Sequence, residues 1–389
     1  MGLRASETRQ LVSLLAASAV LQGILFSVLP PLLPELENEL QLSKTGIGML
    51  VGAFAIGQGV AAIPVALMSR RLGVRRLALI GLSLVAATTF FFGLADTFTQ
   101  LLVARLAQGV SAGLCFSAGF AWLVGRTTRQ RRARSIGVLS GAAAAGHMLG
   151  PVVGALAVRV GRLEISLLVA AVALSLAGAA TRLPRPQEET RASPTSLRDA
   201  HRSRSVLGGL WLIALPGMLT GAIFVLAPLQ LALTGVGPDG IAATFLIAAS
   251  VGVVARPLVG AWADTRGMQS GIRWLLFLSV PLTAITPWVG SAPALSLLVL
   301  CAVAAYGVVF GPAMAFTSGA YAKAGIAQVV AFSLMAVVVG CSLFVGAAGG
   351  GLIASMAGDK VAYGLGAVLT VGTILGMSPR QPATVTSRR

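Results

Sequence analysis

Two ionisable residues lie eight positions apart in the stretch ARPLVGAWADTRG, Ala255 to Gly267. Arg256 lies inside a long apolar run, and a guanidinium there is a candidate for binding an anionic group, because a lone charge is costly in hydrocarbon. Asp264 follows two turns later, where a carboxylate can pair with a cation or with backbone donors at a helix end. At 1.5 Å per residue, a helix places Arg256 about 12 Å deeper than Asp264. We therefore expect Arg256 inside the membrane and Asp264 near water.

The surrounding composition predicts an all-α membrane protein. Of the 389 residues, 56% are hydrophobic and only 11% are charged, and the mean hydropathy is +0.88. Soluble domains carry about 25% charged residues. Apolar runs of about 20 residues, each long enough to cross a bilayer as a helix, recur along the chain, whereas the short-range alternation of β-barrel strands is absent. We predict twelve spans: 11–33, 46–69, 77–95, 101–125, 135–158, 164–181, 207–233, 241–263, 272–291, 294–318, 328–355 and 361–378.

The charge distribution predicts the topology. The formal net charge of +17 suggests an anionic partner such as nucleic acid until the 29 basic residues are placed on the spans. Two of them, Arg105 and Arg256, fall inside spans, and with Met1 in the cytoplasm the outer connections hold only Lys44, Arg159, Arg162 and Lys360. This positive-inside pattern predicts cytoplasmic termini in the cell inner membrane and no nucleic-acid partner.

A polar linker divides the chain into two similar parts. Residues 182–205 are rich in proline, serine and charge, so we predict a cytoplasmic linker between a six-helix bundle at 1–181 and another at 206–389. The stretch GVAAIPVALMSRRLG (59–73) ends span two, and the similar GVVARPLVGAWADTRG (252–267) ends span eight. Such internal repeats around a midplane site are common in secondary transporters.

Short motifs recur at fixed places on these spans. After span eight, GAWADTRG supplies Gly260, Asp264, Arg266 and Gly267, and after span two, ALMSRRLGVRR supplies Gly73, Arg75 and Arg76. Span four contains RLAQG, with Arg105, Gln108 and Gly109. Span five contains GHMLGPVVGA, with Gly146, Gly150, Pro151 and Gly154.

Together these motifs resemble those of the major facilitator superfamily, and in particular its drug–proton antiporter (efflux) branch with twelve transmembrane helices. The resemblance implies two pseudo-symmetric six-helix bundles and rocker-switch alternating access. It implies that Asp264 holds the outward-open state and that the glycine–proline motif bends span five, as is typical of exporters. The chain departs from the pattern at Arg70, where the family has aspartate, and at Ala155, where it has glycine.

Five polar residues within spans are our candidates for lining a substrate cavity: Gln22, Arg105, Gln108, His147 and Arg256. Alternatives remain open for three of them. Arg105 lies about one turn from the outer end of its span and can extend to water. His147 is either a neutral packing residue or a proton-coupling group, since histidine changes charge between pH 5 and 8. Arg256 binds either substrate or only neighbouring helix carbonyls.

The twelve acidic residues limit the function. None falls in the middle of a predicted span, and Glu35, at the outer end of span one, comes nearest. Cation exporters of the resembled superfamily commonly use intramembrane carboxylates, so we expect a lipophilic or anionic substrate, with protons as an optional coupling ion. Uptake or exchange of a small organic anion and a sensor without transport remain alternatives. The two histidines and three cysteines lack catalytic or metal-binding spacing, so we expect that the protein is not an enzyme and has no cofactor or metal. We also expect a monomer.

Overall fold

The computed structural model describes residues 2–126, 129–183, 204–266, 268–326 and 328–377. Within these ranges every regular element is helical, which confirms the predicted all-α class. The described residues form twelve helices of 18 or more residues: α1 Gly2–Ser27, α2 Lys44–Leu72, α3 Val74–Leu94, α4 Phe98–Arg126, α5 Arg129–Val160, α6 Arg162–Thr181, α7 Arg204–Leu233, α8 Pro238–Arg266, α9 Met268–Ile285, α10 Ala292–Lys323, α11 Gln328–Ala357 and α12 Asp359–Gly376. Most of the predicted linker, residues 184–203, lies outside the described residues.

Length and composition make ten helices of the described chain apolar enough to cross a membrane. The two long helices that fall short are α9 and α12, which have 18 residues each. They pack against each other, and α9 also packs against α10. The structure therefore agrees with a multi-pass membrane protein and places a helix at each of the twelve predicted spans.

The first span differs from its predicted single helix over 11–33. Helix α1 ends at Ser27, and the chain continues as a 3₁₀ turn, Pro30–Leu32, and a short helix, Leu33–Leu40. The cause is local, because three prolines at 30, 31 and 34 lack the backbone N–H that a continuous helix requires. The short helix ends at Gln41, which has φ 49° and ψ 45°.

The first six helices, α1 to α6, meet the last six, α7 to α12, mainly along two helix pairs. Helix α2 packs against α11, and α5 packs against α8. We call the surface that carries residue 44 the Lys44 face, and the opposite surface, where α6 ends and α7 begins, the linker face. Helices α2 and α11 run in opposite directions between these faces and stay in contact over several turns.

Small residues allow the close approach between α2 and α11. A Cβ atom at Gly48 would overlap the backbone of Ala347, and one at Gly340 would overlap the carbonyl oxygen of Ala55. A Cβ atom at Gly351, which lies one turn after Ala347 and nearer the Lys44 face, would overlap the carbonyl oxygen of Lys44. These contacts hold α2 against α11 from the Lys44 face to the middle of both helices.

The glycine–proline motif of α5 packs against α1, within the first six helices. Cβ atoms at Gly146, Gly150 and Gly154 would overlap Val20, Ser27 and Val28, respectively. The last six helices repeat this arrangement, since a Cβ at Gly346 of α11 would overlap the carbonyl of Met218 on α7. The motif thus acts as a helix-packing surface, and Pro151 lies inside a helix that continues to Val160.

Candidate functional site

Arg256 lies on α8 between the two groups of helices. Its side chain is exposed, and its Nε donates a hydrogen bond to the carbonyl of Gly307 on α10 at 3.3 Å. On the other side, Arg256 lies within electrostatic reach of His147 on α5. The guanidinium therefore bonds to one of the last six helices, and its charge acts on His147 of the first six.

His147 is half-buried and fixed through both its backbone and its ring. Its carbonyl accepts a hydrogen bond from Ser27 Oγ at 2.9 Å, and its imidazole meets the Phe26 ring edge-on, with 5.0 Å between centroids. The ring contact is of the kind that the packing alternative predicts, and both alternatives for His147 stay predictions.

Four phenylalanines continue from this contact across the middle of the molecule. Phe26 of α1 lies 5.9 Å from Phe54 of α2 and 6.2 Å from Phe224 of α7, measured between ring centroids. Phe224 in turn meets Phe245 of α8 edge-on at 5.4 Å. We call these four residues the aromatic cluster. Phe26 and Phe224 are half-buried, so part of each ring remains available to a ligand.

Arg105 and Gln108 occupy the packed interior of the first six helices. Arg105 is 1% exposed, and its Nη1 donates to the carbonyl of Leu25 at 2.9 Å and to Gln108 Oε1 at 3.1 Å. Gln108 Nε2 donates to Thr89 Oγ1 at 3.2 Å. The Arg105 guanidinium also lies 4.7 Å from the centroid of the Phe54 ring. Instead of extending to water, Arg105 connects α1 with α4 and supports the aromatic cluster from within.

Gln22 is 4% exposed and lies one turn from Phe26 on the same face of α1. Neither its amide nitrogen nor its amide oxygen has a hydrogen-bond partner among the described residues. The structure thus places Gln22 and His147 beside Phe26 of the aromatic cluster, with Arg256 within electrostatic reach of His147, and it places Arg105 and Gln108 behind the cluster.

A charged contact on the Lys44 face was not anticipated from the sequence. Lys44 Nζ lies 2.5 Å from Asp359 Oδ1, and Gln230 Nε2 donates to Asp359 Oδ2 at 3.1 Å. Tyr363 donates to Gln230 Oε1 at 3.3 Å. We call Lys44, Asp359 and Gln230 the Lys44 gate, because they join α2 to α7 and α12. A signal was present in the sequence, since Lys44 is one of the four basic residues predicted in outer connections.

A second ion pair on this face, Arg159 with Asp239, joins α5 to α8. Its side chains are 63% and 58% exposed, whereas those of Lys44 and Asp359 are 27% and 18% exposed. Exposed pairs contribute little, because water screens them and side-chain entropy opposes them. The Lys44 gate is therefore the stronger of the two polar contacts.

The remaining motif residues have mixed positions. Gly73 precedes α3 with φ 77°, a left-handed conformation that favours glycine, and Arg75 Nη2 donates to the carbonyl of Thr181. Gly109 lies against the backbone of Phe54. Three site residues that the sequence predicted in a loop after span eight, Gly260, Asp264 and Arg266, belong to the last turns of helix α8. The side chains of Asp264 and Arg266 lie outside the described part of the chain, as does the whole of Gly267.

Metal chemistry has no support in the described part of the chain, which brings together no group of three or more His, Cys, Asp or Glu side chains that could hold a metal ion. The three cysteines are free.

Known bacterial proteins are similar to a third of the chain. Over 124 residues it is 32% identical to Multidrug resistance protein 1 of Bacillus subtilis, and 28% identical to Quinolone resistance protein NorA of Staphylococcus aureus. Each alignment covers 32% of this chain and 32% of the relative. Because the aligned segment spans about a third of those relatives, their names do not transfer directly to this protein.

Solved structures match over almost the whole length. The nucleoside transporter NupG aligns with a TM-score of 0.76 and 13% identity, covering 94% of this chain and 98% of NupG. The human organic anion transporter MFSD10 (TETRAN) aligns with a TM-score of 0.68 and 19% identity, covering 95% and 99%. At these identities the likeness shows the fold. The family model of the Major Facilitator Superfamily matches residues 15–343, so the chain belongs to this superfamily of membrane transporters, which are carriers and not enzymes.

Proposed function

We propose that the protein is a secondary active exporter of small lipophilic or anionic molecules, which it binds between Arg256, His147 and the aromatic cluster. The observation that carries this proposal is the exposed Arg256, which donates one hydrogen bond to the carbonyl of Gly307 on α10 and acts electrostatically on His147 of α5. A carrier that alternates its access needs a site shared by both halves.

The charge of Arg256 favours an anionic substituent on the substrate. No described carboxylate forms an ion pair with Arg256, and the sequence places none in the middle of a span. A guanidinium offers five N–H donors, so several remain for a carboxylate or another anion. Placing this charge in lipid instead costs about 2.5–3.5 kcal/mol, even on the gentler insertion scale.

The lipophilic part of the substrate finds its surface on Phe26 and Phe224. Both rings are half-buried and belong to different six-helix groups. A planar apolar ligand can pack against such ring edges and faces, which adds to the favourable free energy of burial. The positive charge of Arg256 on one side of the proposed site and the phenylalanine rings on the other fit a small amphiphilic substrate.

We propose an inward-facing conformation for the structure. With both termini and the linker at 182–205 in the cytoplasm, the Lys44 face is extracellular and is closed by the Lys44 gate and the α2–α11 contacts. The units 1–181 and 206–389 would then rock about the central site and open this face. The names of the bacterial relatives, a multidrug and a quinolone resistance protein, favour export over import.

A proton is the proposed coupling ion, and His147 is its candidate carrier in the middle of the membrane. The second candidate function is uptake or exchange of an organic anion. The accessible Arg256 and the fold shared with an organic anion transporter favour it. The third candidate function is that of a sensor without transport, which predicts ligand binding without flux.

The deciding experiment is flux in inverted membrane vesicles, with a panel of anionic, neutral and cationic lipophilic compounds. The pH gradient and the membrane potential are imposed separately. Export predicts that the substrate accumulates inside inverted vesicles. If protons are coupled, a pH gradient with an acidic vesicle lumen should drive this accumulation. Accumulation only in right-side-out vesicles supports uptake, whereas binding without accumulation in either orientation supports a sensor.

A further inference from the structure

Two buried polar side chains next to the aromatic cluster have no protein partner. They are Gln22 of α1, whose amide nitrogen and oxygen are both unpaired, and Thr220 of α7, whose hydroxyl is buried and unpaired among the described residues. Gln22 is 4% exposed. These atoms are unusual, since most buried polar groups in folded proteins have hydrogen-bond partners.

The two residues occupy equivalent places on equivalent helices. Gln22 precedes Phe26 by four residues, and Thr220 precedes Phe224 by four residues, so each polar residue lies on the same helix face as its phenylalanine. Phe26 and Phe224 are neighbours, with 6.2 Å between ring centroids. Helices α1 and α7 both run from the linker face to the Lys44 face. Gln22 and Thr220 therefore lie one turn from the aromatic cluster on its linker side.

Burying these unpaired polar groups lowers the stability of the folded protein. A buried donor or acceptor that leaves water without a partner costs stability, whereas an apolar side chain of the same shape avoids that cost. Leucine or valine would fill both positions in a helix bundle of this composition. Retained polar groups with unused capacity, beside half-buried rings, are typical of ligand recognition.

We infer that Gln22 and Thr220 are two neutral hydrogen-bonding residues of the substrate site and that they recognise a carbonyl, amide or hydroxyl group of the ligand. The inference rests on the proposed function for the location of the substrate. Gln22 can donate and accept, and Thr220 can do the same through one hydroxyl. With rings against the aromatic cluster, the neutral polar group of the ligand points toward the linker face, and Arg256 takes any anionic group separately.

Thermal stability provides the first test, because two matched controls exist in the chain. Thr283 has a buried hydroxyl, as Thr220 has, but its hydroxyl donates to the carbonyl of Ser279 at 2.9 Å. Gln108 is buried like Gln22, but it pairs with Arg105 and Thr89. We expect Thr220→Val and Gln22→Leu to leave the Tm of purified protein unchanged or raise it, and Thr283→Val and Gln108→Leu to lower it. A lowered Tm for both Thr220→Val and Gln22→Leu would show that these groups are structural, and would overturn the inference.

Ligand preference provides the second test, with 2-naphthol and 2-methylnaphthalene as probes of nearly equal shape. Equilibrium binding to the purified wild type should favour 2-naphthol, and the double variant Gln22→Leu/Thr220→Val should lose this preference by about fivefold or more. Equal binding of the two probes by the wild type, or a preference that survives in the double variant, would overturn the inference. Because both probes are neutral, a failure of the proposed anion site appears separately, as unchanged binding of 2-naphthoate in Arg256→Gln.

Discussion

Lys44 and Asp359 are 315 positions apart in the chain, and Lys44 Nζ lies 2.5 Å from Asp359 Oδ1. Their contact joins the start of α2 to the start of α12, and Gln230 holds the second carboxylate oxygen at 3.1 Å. In a carrier that alternates its access, a partly buried charged contact at one face stabilises the state that is closed at that face. Opening of the Lys44 face must break it.

Removing one charge of the Lys44 gate should shift the protein toward opening at the Lys44 face. Thr45 Oγ1 and Ser355 Oγ lie 3.0 Å apart across the same interface, so the pair Thr45→Cys/Ser355→Cys in a cysteine-free background reports closure by disulfide formation. We expect Lys44→Gln to slow this cross-linking by about fivefold, because a hydrogen bond to a charged group is lost. Exchange of the charges, Lys44→Asp with Asp359→Lys, should restore most of the rate.

The exposed pair on the same face supplies the control for the Lys44 gate. Arg159→Gln should change the cross-linking rate by less than about twofold, because exposed ion pairs contribute little. If Arg159→Gln slows cross-linking as much as Lys44→Gln does, the difference in burial does not decide which pair closes the face.

The α1–α5 contact should tolerate no added side chain. Gly146→Val inserts atoms against the carbonyl of Val20 and should destabilise the protein by about 1–3 kcal/mol, measured as a lower Tm. Gly141 lies about one turn earlier on the same helix, and a Cβ there meets nothing within 4 Å. Gly141→Ala should therefore be neutral or stabilising by up to about 1 kcal/mol. Equal losses of Tm would mean that helix backbone effects, not packing, dominate at both positions.

The fold could be predicted from the sequence because each membrane helix needs its own apolar run of sufficient length. Family membership followed from motifs that are local, such as RLAQG and GHMLGPVVGA. The break at Ser27 was missed, because the apolar run continues through Pro30 and Pro31 although the helical hydrogen bonds cannot.

The site was only partly predictable, because partners across the fold leave no mark on local sequence. Arg105 directs one N–H group to the carbonyl of Leu25, 80 positions away, and it is buried where extension to water was an open alternative. Arg256 makes the carbonyl contact that the sequence left open, yet it also remains exposed beside His147. Thr220 could not be identified at all, since a threonine in an apolar run usually bonds to its own helix.

Asp264→Asn should impair transport and leave membrane insertion intact. The motif resemblance assigns this carboxylate to a contact that holds the outward-open state, so its loss changes the balance between conformations and not the fold. Flux per unit of protein in the membrane, compared with the wild type, is the measurement. Normal flux at normal expression would mean that Asp264 is an ordinary polar residue at a helix end.

His147→Gln should flatten the pH dependence of transport if His147 carries the coupled proton. Glutamine keeps hydrogen-bonding groups of similar reach but cannot gain a charge between pH 5 and 8. The check is initial flux from pH 5.5 to 8.5, with Phe26→Leu as a control that removes the ring contact of His147 and keeps the imidazole. An unchanged profile in His147→Gln would direct attention to Glu35.

The most direct test of the central claim, that Arg256 meets the substrate, is ligand binding to purified Arg256 variants with an anionic and a neutral ligand of the same ring system. For 2-naphthoate against 2-naphthol, Arg256→Gln should weaken binding of the anion by about tenfold or more and leave the neutral compound within about twofold, since a charge-assisted hydrogen bond is lost only in the first case. Arg256→Lys should keep part of the anion binding, because it keeps the charge but not the planar fork of donors. If both substitutions instead lower the Tm and weaken the two ligands equally, Arg256 serves the contact with Gly307 alone, and the account of the site is wrong.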